Sequence, residues 1–195
     1  ILVGVVRALG LTTVRGQTGI NEVLFNPPGS PDSPGEYVEL RGTPNRVLSN
    51  TYLLTLEGDA EGSPGTIRDV FNLSGQAIGG NGFLVLLQGG NSYAVTAGAA
   101  VLTDGGNGSG WGLANGSKSF LLIRTTNPPT AGVNVDANND GLIDPAVLTT
   151  WTIIDSVGVL DNSGAGDIAY GAINFRRNPA ALASGTLVEV GFSPG

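Results

Sequence analysis

The residues best suited to chemistry form one run, Asp136-Ala137-Asn138-Asn139-Asp140-Gly141-Leu142-Ile143-Asp144. Oxygen-bearing side chains stand at positions 1, 3, 5 and 9 of this run and a glycine stands at position 6, which is the first part of an EF-hand calcium loop. In this spacing, alternate side chains of a tight coil converge on one hard cation. The sequence therefore predicts a Ca2+ site whose ligands are Asp136, Asn138, Asp140, Asp144 and the backbone carbonyl of Leu142.

The predicted calcium site is incomplete within the run itself. An EF-hand loop has a bidentate glutamate at position 12, where this chain has Val147, and Pro145 argues against a following EF-hand helix. We expect a further ligand from another acid, Asp155 first, with Asp161 or Asp167 as alternatives. The competing interpretation is an Asx-rich turn whose side chains bind the loop's own backbone without a metal.

Missing residue types exclude most catalytic centres. The chain of 195 residues has no histidine and no cysteine, which excludes a Ser-His-Asp triad, a thiol nucleophile, a zinc or haem site and any disulfide. A Ser-Lys arrangement would depend on the single lysine, Lys118, in a stretch that is typical of a hairpin turn. Glu22, Glu36 and Glu39 are the candidates for a carboxylate pair acting on a glycoside. Glu36 and Glu39 would point to opposite faces of one strand, so we predict that the protein is not an enzyme.

The charge balance bears on partners and location. Nine basic against 16 acidic residues give a net charge of −7, whereas a nucleic-acid-binding protein needs a basic face. No apolar run approaches the length of about 20 residues that spans a bilayer. An acidic chain with one lysine and no cysteine fits an exported protein that meets calcium. We therefore expect an extracellular or cell-surface location, with any signal peptide already removed.

The elements that must position these residues are short strands. Glycine (32 residues) and proline (11 residues) interrupt the apolar runs too often for helices, and turn signals between the runs are typical of an all-β sandwich or barrel. Asn81-Gly82 and Asn115-Gly116 are expected to supply the positive φ of tight turns. The predicted strands are Val3–Leu11, Ile20–Phe25, Glu36–Arg41, Tyr52–Glu57, Ile67–Leu73, Phe83–Gln88, Ala99–Thr103, Phe120–Thr125, Trp151–Leu160, Ile168–Phe175 and Thr186–Phe192.

Several of these segments resemble the lamin tail domain family. Ile20-Asn21-Glu22-Val23-Leu24-Phe25-Asn26, Glu36-Tyr37-Val38-Glu39-Leu40-Arg41 and the glycine-preceded Phe83–Leu87 are similar to its opening strands. The Asp136–Asp144 loop and Ile153–Val159 resemble additions found in its secreted bacterial members. One departure is Tyr52-Leu53-Leu54, where the family usually has a tryptophan. The resemblance covers about residues 20–175; it implies an immunoglobulin-like β-sandwich, export, and structural roles for Glu22 and Glu39 rather than a reaction.

The N-terminal segment is apolar on both faces of a strand. Ile1, Val3 and Val5 would lie on one face, and Val6 and other apolar residues on the other; such a strand must be covered on both sides. We divide the chain into an arm and hinge (residues 1–19) and a sandwich domain (residues 20–195). The arm is interpreted as an extra strand of its own sandwich, as the remnant of an exported leader, or as a strand donated to a neighbouring subunit.

The leading hypothesis is an exported, non-catalytic subunit of an extracellular or cell-surface filament that is built from copies of this chain. The assembly strand would use Ile1, Val3, Val5, Val6, Leu9 and Leu11. The alternative is a calcium-dependent binding or accessory module of a larger secreted hydrolase, such as a nuclease or phosphatase; a glycosidase using only acids is a third. Asn72, Asn107 and Asn115 begin sequons, so they are predicted glycosylation sites and glycans are candidate partners.

Overall fold

A computed structural model describes residues 17–28, 34–104, 113, 115–161, 166–176, 182–183 and 186–189. The described chain is almost entirely strands, which confirms the all-β prediction. The strands are β1 (Gly19–Leu24), β2 (Tyr37–Arg41), β3 (Thr51–Glu57), β4 (Ile67–Asn72), β5 (Phe83–Leu87), β6 (Ala100–Thr103), β7 (Lys118–Arg124), β8 (Thr152–Leu160), β9 (Ile168–Ala169), β10 (Ile173–Arg176), β11 (Leu182–Ala183) and β12 (Thr186–Glu189).

Two sheets face each other as a sandwich. The smaller has four strands in the order β1-β2-β5-β6, and the larger has six in the order β12-β10-β8-β7-β3-β4; a third sheet pairs β11 with β9. Pairing is antiparallel from β8 through β7 and β3 to β4, but β5–β6, β8–β10 and β10–β12 are parallel. Immunoglobulin constant-type sheets are antiparallel, so the sandwich is confirmed and the immunoglobulin-like connectivity is not.

The first core lies between the two sheets. Val38, Leu40 and Leu86 of the small sheet pack here with Leu53 and Phe120 of the large one. These positions alternate along each strand, because successive side chains of a strand point to opposite faces.

The large sheet is also buried on its outer face. Tyr52, Leu54 and Leu121 form a second core there, which the loops carrying Val135 and Ile143 cover. Burial on both faces explains why β3 and β7 are buried at six successive positions each, instead of alternating between buried and exposed.

The predicted glycine turns are present, whereas one predicted strand is divided and one short helix was not predicted. Gly82 (φ 93°) and Gly116 (φ 104°) have the predicted positive φ. The expected strand Ile168–Phe175 is divided, because the Asn174 side chain bonds both the amide and the carbonyl of Gly171. Pro145 begins a one-turn helix, α1 (Pro145–Leu148); proline is tolerated at a first helical position. A 3-10 turn occupies Ala60–Gly62.

The predicted strand Val3–Leu11 lies outside the described residues. None of the helices that the structure describes has the length and apolarity needed to cross a bilayer.

Candidate functional site

The predicted calcium loop is anchored in the second core at both ends. Val135 and Ile143 are buried there. The Val135 amide donates to the Gly65 carbonyl (3.0 Å), and the Asp144 amide donates to the Val135 carbonyl (2.8 Å), which closes the loop. The run predicted from its spacing is therefore one compact unit on the outer face of the large sheet.

Asp136 is the centre of this loop. Its carboxylate is fully buried and accepts three hydrogen bonds: Oδ1 from the Asp140 amide (3.1 Å), and Oδ2 from the Gly141 amide (3.0 Å) and the Tyr170 hydroxyl (2.8 Å). These donors offset the cost of burying a charge. Gly141 has φ 84°, which is the chain reversal for which glycine was predicted.

The other predicted ligands also bind within the loop. Asp140 accepts from the Leu142 amide through Oδ1 (2.9 Å) and from Asn138 Nδ2 through Oδ2 (2.9 Å). Asp144 Oδ2 accepts from the Ala137 amide (3.2 Å). This is the hydrogen bonding of the Asx-turn interpretation. The structure does not bring one carboxylate oxygen from each of Asp136, Asp140 and Asp144 within 4.8 Å of one another.

Asp155 does not belong to this loop, which corrects its prediction as the completing ligand. In the β7–β8 pair it lies opposite Leu122, a residue of the first core, so it is on the inner face of the large sheet. Asp155 Oδ2 accepts from the Ile20 amide of β1 (2.8 Å), and Oδ1 accepts from the Ser156 amide (2.9 Å). Its carboxylate links the two sheets, and the sheet itself separates it from the loop.

A different set of acids converges. Asp59, Asp161 and Asp167 bring carboxylate oxygens within 4.8 Å of one another, as no other three acids of the described residues do. Ser117 lies among them: its amide donates to Asp59 Oδ1 (2.8 Å), and its hydroxyl donates to Asp167 Oδ2 (2.7 Å). We call these three acids the acidic cluster.

Sequence reasoning named Asp161 and Asp167 only as alternatives for the loop and did not find Asp59. Asp59 reaches the cluster because β3 pairs with β7 and Glu57 lies opposite Lys118. This pairing brings the residues that follow β3 close to the residues that precede β7. That register cannot be read from local spacing.

The acidic cluster is electrostatically unfavourable when fully charged. Burial raises the pKa of Asp59, the bond from the Ser117 amide lowers it, and the charges of Glu57, Asp167 and Asp161 raise it, with a net upward shift. Glu57 itself pairs with Arg68 (Nε to Oε2, 2.8 Å). Three carboxylates are a suitable donor set for a hard cation, but Asp59 and Asp167 also hold the backbone amides of Ser117 and Ala60.

Lys118 points away from Ser117, into the first core. It is buried, and its Nζ lies 5.3 Å from the centroid of the Phe25 ring. Burial lowers its pKa, against the opposing effect of nearby carboxylates, of which Glu57 is the first. The Ser117 hydroxyl bonds Asp167 instead of Lys118, so this geometry does not form a Ser-Lys nucleophile.

The three glutamate candidates all accept hydrogen bonds from the protein itself. Glu22 and Glu39 are directly opposite on β1 and β2. Tyr37 donates its hydroxyl to Glu22 Oε1 (2.5 Å), and Asn21 Nδ2 donates to Glu39 Oε1 (2.6 Å). Glu36 is buried, and its Oε2 accepts from the Leu113 amide (2.9 Å).

Two of the three sequons lie in the described chain. Asn72 ends β4 with an exposed side chain, whose Oδ1 accepts from the Ser74 amide (2.9 Å). Asn115 is exposed in the turn before β7. Asn107 lies outside the described residues, as do the assembly-strand residues Ile1, Val3, Val5, Val6, Leu9 and Leu11.

Comparisons of the chain with models of protein families, with curated proteins and with solved structures gave no match. The resemblance to the lamin tail domain family therefore rests on the motifs quoted above.

Proposed function

We propose that this chain is an exported, non-catalytic structural protein whose N-terminal strand is donated to a neighbouring copy, so that copies form an extracellular filament. The observation that carries the proposal is the free side of β6 in the four-stranded sheet. Among the described strands, β6 pairs only with β5.

The side chains of β6 suit an added strand. Ala100 and Leu102 pack against the first core and are only partly buried, while Val101 on the outer face is 47% exposed. A strand added beside β6 would cover the two inner side chains further. An apolar arm such as residues 1–14 supplies apolar side chains for both faces of that position, and β-strand addition uses main-chain hydrogen bonds for affinity.

The opposite edge of the same sheet is less suited. At β1 the Ile20 amide already donates to Asp155 (2.8 Å), and Gln17 Nε2 donates to the Ile154 carbonyl (3.2 Å). These contacts tie the start of β1 to β8. β6 is therefore the better acceptor for a strand from another copy.

The use of the polar side chains supports a non-catalytic role. Asp155 and Asp167 hold backbone amides of other segments, Asp136 holds backbone amides of its own loop, and Glu57 pairs with Arg68. Groups used in this way fix loops and join the sheets. We further propose that Ca2+ stabilises the Asp136–Asp144 loop. A carboxylate offers about four lone-pair sites, so Asp136, which accepts three hydrogen bonds, retains one site for the ion. Asp140 and Asp144 would turn their carboxylates towards the ion.

Deleting residues 1–15 tests the proposal. We expect filaments from the full chain by electron microscopy and light scattering, and monomers from the truncated chain. Val101→Lys places a charge on the acceptor edge and should block strand addition. Val47→Lys is the matched control, because Val47 is 61% exposed and lies outside the named strands; it should leave assembly intact. Filaments from the truncated chain, or a monomeric full chain, would contradict the proposal.

A further inference from the structure

The outer face of the small sheet carries two acids that repel each other. Glu22 and Glu39 are direct cross-strand partners, which places their Cβ atoms about 5 Å apart and makes like charges destabilising. Neither Glu22 nor Glu39 forms an ion pair with a basic side chain among the described residues. Hydrogen bonds from Tyr37 and Asn21 engage one oxygen of each carboxylate.

Two tyrosine rings form a corner beside these acids. Tyr37 lies on the same face of β2 as Glu39, and its ring meets that of Tyr93 at 78° with centroids 5.7 Å apart. Tyr93 is 46% exposed. Tyr93 is the exposed ring of the pair and Tyr37 is half-buried, so the pair presents mainly the Tyr93 ring to solvent, beside two acidic side chains. We call Tyr37, Tyr93, Glu22 and Glu39 the tyrosine corner.

The corner is held in place before any ligand arrives. The Tyr37 hydroxyl is fixed by Glu22 at 2.5 Å. The Tyr93 amide donates to Asn91 Oδ1 (2.8 Å), and Asn91 Nδ2 donates to the Glu36 carbonyl (3.0 Å). Rigid rings lower the ordering cost of binding.

We infer that the tyrosine corner binds the quaternary ammonium group of a choline-type small molecule. Aromatic faces attract cations through the ring quadrupole, and this attraction is the usual basis of quaternary ammonium recognition. The two acids add charge complementarity, since a bound cation relieves their mutual repulsion. A metal ion fits less well, because the rings offer no ligand atoms and Glu22 and Glu39 stand without a third acid in the described clusters.

The test is a titration of the full chain with tetramethylammonium chloride and with choline chloride, followed by NMR or calorimetry. Tyr93→Leu should weaken binding about fivefold, whereas Tyr93→Phe should retain it because it keeps the ring. Glu39→Gln should weaken binding about threefold, because an exposed charge pair contributes up to about 1 kcal/mol. Glu61→Gln is the matched charge control, because Glu61 is exposed in the 3-10 turn; it should leave affinity unchanged.

The neutral isostere of choline, 3,3-dimethylbutan-1-ol, separates charge from shape. We expect it to bind much more weakly than choline, and added salt to weaken choline binding. The inference is overturned by equal binding of the neutral alcohol, by unchanged affinity in Tyr93→Leu, or by the absence of saturable binding to either ammonium ion. Because these variants keep residues 1–15 and β6, none of these outcomes depends on filament formation.

Discussion

Removing one oxygen atom from Tyr170 should measurably destabilise the protein. Tyr170→Phe deletes the hydroxyl that donates to Asp136 Oδ2 at 2.8 Å. The Tyr170 side chain is 4% exposed and Asp136 is 0% exposed, so water cannot replace the bond. A hydrogen bond to a charged group contributes about 1.5–3 kcal/mol. We expect a loss of about 2 kcal/mol, which lowers the midpoint of thermal unfolding by about 4–8 °C in a chain of this size.

Urea unfolding of the purified chain measures this loss, with Tyr52→Phe as the matched control. Tyr52 is a buried tyrosine of the same second core, and its hydroxyl makes no hydrogen bond within the described residues. Its substitution should therefore change the free energy of unfolding by about 0.5 kcal/mol or less. Equal losses in Tyr170→Phe and Tyr52→Phe would refute the assigned role of the Asp136 bond.

The pH dependence of stability is a second test of the bond between Tyr170 and Asp136. Burial, and then the bond to Asp136, raise the pKa of Tyr170 above that of a free tyrosine, which is about 10. A raised folded-state pKa means that the contribution is complete below the unfolded-state pKa and is lost as the pH rises towards the folded-state value. The stability difference between wild type and Tyr170→Phe should therefore be constant near neutral pH and shrink above about pH 10.

Two further predictions concern the acids. Calcium should stabilise the wild type relative to chelator, raising the free energy of unfolding by about 2.7 kcal/mol at a hundred times the Kd, which a higher unfolding temperature reports. Asp140→Ala should abolish this shift and Asp161→Asn should retain it. An unshifted wild type, or the reverse pattern in the two variants, would contradict a calcium site in the loop. Asp59→Asn should increase the free energy of unfolding at pH 7, because the pKa of Asp59 is raised in the folded state and ionised Asp59 therefore destabilises the folded protein. Urea titrations over a pH series measure this, and the difference from wild type should vanish below the ordinary aspartate pKa. A gain that persists at that low pH would exclude charge repulsion as its cause.

Local patterns were sufficient to predict most of the fold. Each described strand from β1 to β8 lies within about two residues of a predicted one, because turn residues and apolar runs are local signals. β11 and α1 were missed. The break in Ile168–Phe175 was also missed, because it depends on how closely Gly171 approaches its neighbours: an added Cβ would meet the Ile173 carbonyl oxygen at 2.6 Å.

The candidate site was predictable only where its residues are adjacent in sequence. The Asp136–Asp144 run forms one closed loop, as its spacing indicates. The placement of Asp155 was wrong because a strand residue can face either side of the sheet, and Leu122 opposite it faces the first core. The acidic cluster joins Asp59 to acids about a hundred positions away, and only strand pairing brings them together.

The two acid sites are joined through one short segment around β9. Asp167 belongs to the acidic cluster, and three residues later Tyr170 donates to Asp136 of the loop. The segment is fixed between them: the Ile168 amide donates to the Gly58 carbonyl (2.8 Å), and the Tyr170 amide donates to Ser119 Oγ (2.7 Å). Residues that share one hydrogen-bonded network do not contribute independently. We therefore expect the effects of Asp59→Asn and Tyr170→Phe on the free energy of unfolding to depart from additivity, because both sites hold the same segment of backbone.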